Sequence, residues 1–262
     1  MQTKTIFEVF RESASLYAAN VAFEYRKSGQ SVLVTYQELY ENVCSARKGL
    51  YQLGLRKGDR CAILSENRIE WAITDLACQG LGAITVPIYP TLPTEQVSQL
   101  LSDSAAKVVV ASDKKQVAKL SAISSGNSSQ FTTVVMDVEP VEGMVAFASL
   151  LSGDISSTVS DSDLDGIIKE MKVDDTATFI YTSGTTGTPK GAMLSHRALL
   201  HTGIAAREFV HLDAKDVFLS FLPLCHIIER VGGHYLPLSI GARVFYSEGV
   251  FAIKNELSSV RP

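Results

Sequence analysis

The stretch Tyr181-Thr182-Ser183-Gly184-Thr185-Thr186-Gly187-Thr188-Pro189-Lys190-Gly191 combines three glycines, five small hydroxyl residues and one lysine. Glycines let backbone N–H groups approach an anion closely. Small hydroxyls add donors and can ligate Mg²⁺, and a lysine brings a compact positive charge suited to phosphate oxygens. Together these residue types make a cradle for a polyphosphate. The stretch is not a Walker A loop, because Pro189 stands where that pattern needs its second glycine, and Gly191 follows Lys190 rather than preceding it. Gly80-Leu81-Gly82 lacks the third glycine of a dinucleotide fingerprint and is expected to be a turn at a helix end. The plain alternative for residues 181–191 is a polar hairpin loop.

A second cluster is Leu222-Pro223-Leu224-Cys225-His226-Ile227-Ile228-Glu229-Arg230. A lone histidine after a strand is most often a packed residue, so His226 draws its interest from the residues around it. Glu229 and Arg230 are open to two readings, a functional pair or an ion pair on a helix surface. His196, His201, His211 and His234 have no metal-ligand spacing and are expected to be structural. Adjacency of Cys225 and His226 does not make a nucleophile and base.

The segment from Tyr181 to Gly191 resembles the phosphate-binding signature of the adenylate-forming superfamily, which includes acyl-CoA synthetases, luciferases and peptide-synthetase adenylation domains. The segment from Leu222 to Arg230, continued by Gly232-Gly233-His234-Tyr235-Leu236-Pro237-Leu238, is similar to the second core motif in the form found in long-chain fatty acyl-CoA synthetases. Val34-Thr35-Tyr36, Gly58-Asp59-Arg60 and Val86-Pro87-Ile88 fit the same likeness. The resemblance implies a two-step reaction, in which a carboxylate attacks ATP to give an acyl-adenylate and coenzyme A then displaces AMP. It implies that Tyr181, Thr182, Ser183, Gly184, Thr185, Thr186, Gly187 and Lys190 bind the nucleotide. Within that set Thr182 would ligate Mg²⁺, the N–H groups of Gly184 and Gly187 would cradle phosphate, and Lys190 would steady the pyrophosphate end. His226 would act where the acyl pocket meets the nucleotide.

Members of that superfamily are more than twice this length. An acidic Gly/Thr/Glu motif, a ribose-binding aspartate and a small C-terminal domain with a catalytic lysine find no counterpart here. The expectation is an N-terminal portion with little ligase activity by itself. Alternatives are a truncated nucleotide- or acyl-binding pseudo-enzyme, a split subunit, or a ligase for another carboxylate.

The elements that must position these residues can be read from periodicity. Thr35-Tyr36-Gln37-Glu38 is a capping box, and Leu39, Val43, Ala46, Leu50 and Leu53 recur on one helical face up to Gly54. Strands are predicted at 61–64, 83–88, 107–111 and 131–136, with helices from Ile69 to Gly80 and from a cap at Thr94. Residues 176–181 and 192–194 form strands around the glycine-rich loop, followed by a helix over 195–209. Strands at 216–222 and 242–246 flank a helical region over 227–240, and a last helix starts near Phe251. Apolar runs alternating with amphipathic helices imply an α/β fold of mostly parallel sheets covered on both sides. The division predicted is a first α/β subdomain (1–136), a Ser/Asp-rich surface connection (137–174), and the start of a second α/β subdomain (175–262).

Composition agrees. The 262 residues carry 24 Lys+Arg against 28 Asp+Glu, a formal net charge of −4, which argues against nucleic acid as the main partner. The mean hydropathy of +0.13 suits a sheet buried on both faces, or a surface left for a further part of the fold to cover. No secretory signal or membrane-spanning run is visible, and four scattered cysteines suit a reducing cytoplasm. Peripheral membrane contact is compatible with a fatty-acid substrate, although no basic amphipathic helix is apparent.

Overall fold

The computed structural model describes residues 4–126, 131–152, 159–182 and 190–262. Local chemistry starts its helices. Thr35 accepts the Glu38 N–H at 3.2 Å while the Glu38 carboxylate accepts the Thr35 N–H at 2.8 Å, and helix α2 (Tyr36–Gln52) follows. Its Leu39, Val43, Ala46 and Leu50 are buried as the periodicity requires. Thr5 and Glu8 make the same box for α1 (Ile6–Leu16). Thr94 is not the cap it was expected to be. It is the first residue of α4 (Thr94–Ser104), and Pro93, held extended by its ring, occupies the N-cap without a side-chain bond.

Between and after these lie β1 (Val21–Lys27), β2 (Gln30–Thr35), β3 (Arg60–Leu64), α3 (Ile69–Gly80), β4 (Ile84–Ile88), β5 (Val108–Ala111), α5 (Lys114–Gly126) and β6 (Thr132–Val135). Next come β7 (Met144–Ala146), α6 (Phe147–Ser152), α7 (Asp161–Glu170), β8 (Thr176–Thr182), β9 (Lys190–Ser195), α8 (His196–Val210) and β10 (Val217–Ser220). The chain continues with α9 (Ile227–Glu229), a π-helical segment (Arg230–Tyr235), α10 (Leu236–Ile240), β11 (Arg243–Tyr246) and α11 (Ile253–Val260).

Seven strands form one sheet in the order β7-β6-β5-β3-β4-β8-β9, parallel except for the β8–β9 hairpin. Its two faces are both buried, as an uninterrupted apolar strand demands. Cys61 and Ile63 of β3 join the main core with α1, α2 and α3, whereas Ala62 and Leu64 pack against Val97, Leu100 and Leu120 of α4 and α5. A second sheet runs β10-β11-β1-β2. Ala22, Phe23 and Val244 from it enter the same main core, with α3 buried at every position except Glu70.

The course of the chain through these sheets differs from the linear reading in two ways. The connection over 137–174, expected to carry local structure at its apolar patch Met144 to Leu151, joins the sheet and core there: β7 pairs with β6 as a parallel edge strand, and α6 buries Phe147 and Leu150. A three-residue strand is too short to show a period. The sheets also draw on both ends of the sequence, since β1 pairs with β11 and β4 with β8.

Candidate functional site

The β8–β9 hairpin positions the first group of predicted residues. Its antiparallel ladder runs from Thr176 opposite Ser195 to Thr182 opposite Lys190. The structure therefore sets a threonine and a lysine opposite each other at the last register pair, both exposed. Ser183, Gly184, Thr185, Thr186 and Gly187 lie outside the described residues.

Tyr181 is placed differently from a free nucleotide contact. Its hydroxyl donates to Asp103 Oδ2 at 2.5 Å, at the end of α4. Burial, and then the Asp103 carboxylate, push the phenol up, so it stays a donor. Gly191 lies across the ring, where a Cβ would come within 3.1 Å of Tyr181 Cζ. The side chain thus anchors the hairpin to α4. At the root of the hairpin, His196 is buried and accepts the Ile6 N–H on Nδ1 at 3.4 Å. Burial pushes it down to about 4, which keeps it neutral and structural.

His226 stands on the turn from β10 to α9 and is exposed. Its Nδ1 accepts the Ile228 N–H at 3.3 Å, making it the N-cap of α9. An N–H can only donate to a lone pair, so the neutral ring carries its proton on Nε2. The backbone fixes the turn: the His226 N–H donates to Pro223 O at 2.8 Å, and its carbonyl accepts the Arg230 N–H at 3.0 Å. Beside it Cys225 is buried, and burial raises its thiol to about 12, far from thiolate character at neutral pH.

Glu229 and Arg230 are not a surface ion pair. Successive helical residues point about 100° apart, and here both side chains go inward to separate places. Arg230 is fully buried; it bonds the Asp75 carboxylate, donates to Thr178 Oγ1 at 2.9 Å and to the Tyr235 hydroxyl at 3.0 Å, and lies over the Trp71 ring. Asp75 also accepts from Tyr235 at 2.8 Å and from His234 Nε2 at 3.3 Å. Burial opposes its ionisation, but the Arg230 charge and the His234 bond outweigh that and hold its carboxyl well below the usual range. Burial keeps His234 low and neutral despite Asp75, so its donor is Nε2–H. Glu229 sits over Gly233, where a Cβ would lie 2.2 Å from Oε1. Burial raises its carboxyl, offset in part by the Ser220 hydroxyl and the Leu222 N–H.

A cleft of about 300 Å³ is lined by Glu66, Asn67, Tyr89, Pro90, Ser220, Phe221, Pro223 and Ser247 among others. These residues end or follow β3, β4, β10 and β11, so the C-terminal ends of parallel strands from both sheets meet there, the usual place for a ligand in such folds. Asp75 and Asn67 escaped the sequence reading. A carboxylate inside the apolar face Ala72, Ile73, Leu76 and Ala77 signals a buried partner, and a polar loop directly after a buried parallel strand signals a cleft. Among the described residues no group of three or more His, Cys, Asp or Glu is placed to hold a metal ion, and no helix is long and apolar enough to cross a membrane.

The AMP-binding enzyme family matches residues 10–257. Among curated proteins the chain is 32% identical over 253 residues to the long-chain-fatty-acid–CoA ligase ACSBG2 of Gallus gallus, covering 94% of this chain and 33% of that protein. It is 32% identical over 231 residues to the long-chain-fatty-acid–CoA ligase FadD15 of Mycobacterium bovis, covering 87% of this chain and 36% of that protein. The chain thus spans about a third of the length of these relatives. Among solved structures, the N-terminal domain of FACL13 from Mycobacterium tuberculosis shares the fold with a TM-score of 0.83 at 22% identity, over 98% of this chain and 61% of that one. The anthranilate CoA ligase AuaEII in complex with anthranoyl-AMP does so with a TM-score of 0.86 at 20% identity, over 98% of this chain and 48% of that one. With a family match that runs from residue 10 to residue 257, the chain belongs to the AMP-binding enzyme family.

Proposed function

We propose that the chain is the N-terminal portion of an AMP-forming ligase that activates a long-chain fatty acid with ATP and transfers it to coenzyme A. The observation that carries this reading is the register pair of Thr182 and Lys190, a hydroxyl residue and a lysine opposite each other at the exposed end of the hairpin. In the first step a carboxylate oxygen bonds to the α-phosphorus of ATP and the bond to the β-phosphate oxygen breaks, releasing pyrophosphate. In the second the coenzyme A thiol bonds to the acyl carbon, loses its proton and expels AMP.

Such transfers need positioning and charge neutralisation more than covalent help. Lys190 supplies positive charge for the departing pyrophosphate, and the His226 Nε2–H is a donor for an oxygen on which charge builds. Thr182 has the hard oxygen donor that Mg²⁺ takes; bound with ATP, that ion neutralises phosphate charge. A cytoplasmic location with peripheral contact to membranes that hold the substrate goes with this reading. The fatty-acid assignment leans on the names of the curated relatives; the fold is shared with an anthranilate ligase and leaves the acyl group open.

Fatty-acid-dependent exchange of pyrophosphate into ATP, measured on the full-length gene product, tests the proposal. Exchange with long-chain acids and a loss of about 100-fold in Lys190→Ala are expected. Exchange only with aromatic or amino acids would move the reading to another carboxylate ligase. Nucleotide binding with no exchange at all would favour a binding module. Residues 1–262 alone are expected to yield little or no acyl-CoA, and robust product from them would overturn that part.

A further inference from the structure

We propose that Asn67 is the positioning residue that seats His226; the proposal rests on the reading of His226 given above. One carboxamide grips the turn that leads to the histidine at successive points. Asn67 Nδ2 donates to the Leu222 carbonyl at 2.8 Å and to Ser220 Oγ at 3.2 Å, and Asn67 Oδ1 accepts the Leu224 N–H at 2.8 Å. A side chain that serves a backbone carbonyl and a backbone N–H two residues apart needs a donor and an acceptor side by side in one plane, which a carboxamide has and an ionised carboxylate lacks.

The location makes this grip consequential. β10 is the edge strand of its sheet, and past Ser220 the chain leaves the ladder. From there Asn67, borrowed from the other sheet, does the pairing that a strand would otherwise do. Leu224 and Cys225 are buried, and the His226 N–H closes on Pro223 O, so a shift at Leu224 is passed on two residues later to the imidazole. The loop that carries Asn67 is itself fixed on both sides. Ser112 Oγ donates to Glu66 at 2.9 Å, and Arg68 forms paired bonds with Glu70 (2.7 and 3.1 Å) and Asp137 (2.6 and 2.8 Å). Asn67 therefore transmits the geometry of the seven-stranded sheet to a histidine carried by the other sheet.

The test reads the His226 imidazole directly. Chain labelled with ¹⁵N-histidine is examined by long-range ¹H–¹⁵N correlation as wild type, Asn67→Ala and Asn67→Asp, with His226→Gln for assignment. Wild-type His226 is expected to show the signature of an Nδ1 that accepts and an Nε2 that carries the proton. In Asn67→Ala the Ile228 bond loosens and the signal moves toward a tautomer average, while buried His196 and His234 stay in place. An unchanged His226 signal in Asn67→Ala would overturn the proposal. If His196 and His234 move as well, the fold has suffered, and Asn67→Asp, isosteric but stripped of its donors, decides by the same comparison.

A kinetic arm on the full-length enzyme separates the clamp from the reading beneath it. Asn67→Asp is expected to slow adenylation by roughly 10- to 100-fold with the ATP KM nearly constant, and to add nothing in a His226→Ala background. Losses that multiply in the double variant would overturn the clamp. A His226→Ala enzyme as active as wild type would overturn the role of His226 while the spectroscopic result for Asn67 stood.

Discussion

The hairpin end and the group behind His226 solve opposite problems. Thr182 and Lys190 stand in solvent, held by a strand ladder and by the Tyr181–Asp103 bond. Arg230 and Asp75 are fully buried and hold each other, with Thr178, Tyr235, His234 and Gln79 bonded to one or the other. A charge meant for a ligand has to remain available, and a charge meant for the fold has to be consumed. The comparison teaches that charge alone does not mark function here: Arg230, fully buried against Asp75, has no charge to spare for a substrate.

The sharpest way to break the contrast is Arg230→Ala. Removing one partner of a buried pair leaves Asp75 uncompensated, and a loss of about 3–5 kcal/mol is expected in chemical denaturation. Replacing Asp75 and Arg230 together by Leu and Met should recover much of it. Equal losses in the single and double variants would show that the pair is not the source.

The root of the hairpin behaves like the buried side of the comparison, and pH exposes it. His196 in the fold titrates near 4, below its unfolded value, so between about pH 6.5 and 4 the unfolded chain takes up a proton that the native chain refuses. Stability is present above 6.5 and is lost as pH falls, by up to roughly 3 kcal/mol. His196→Gln should flatten that limb in a series of urea melts; an unchanged slope would remove His196 as its cause.

At the exposed end the expected signs reverse. Lys190→Ala should leave the melting temperature in place while adenylation by the full-length enzyme falls about 100-fold, or about 2.7 kcal/mol in the transition state. A change in Tm comparable to that of Arg230→Ala would erase the distinction between the two regions. The smallest effect is reserved for Tyr181→Phe. It removes one bond to an exposed carboxylate and should cost about 1 kcal/mol, seen as a raised KM for ATP with kcat nearly kept.

Local signals carried much of this organisation. The Thr35–Glu38 box, the apolar face of α2 and the strands on either side of the glycine-rich stretch needed only neighbours in sequence, and each was legible. The helical region over 227–240 was legible too, but not its π-helical middle, where Arg230 bonds a carboxylate 155 positions away. β7 gave no period in three residues, and it exists because β6 offers an edge. Asn67 shows the same limit within the site. Its type was visible, but its three partners come from a loop that tertiary structure alone brings near. Burial of Glu229 and Arg230 was hidden for a similar reason, since their environment is made by both sheets.

The pairing of β1 with β11 has a consequence for how the chain is made. Phe23 lies opposite Val244 and stacks on Tyr246, so the first strand waits for a partner about 220 residues downstream. At ribosomal speeds that interval is on the order of 10–45 s. Throughout it the β1–β2 ribbon has an open edge and an aromatic ring without its cover, which makes the nascent chain, rather than the finished one, the species most in need of a chaperone.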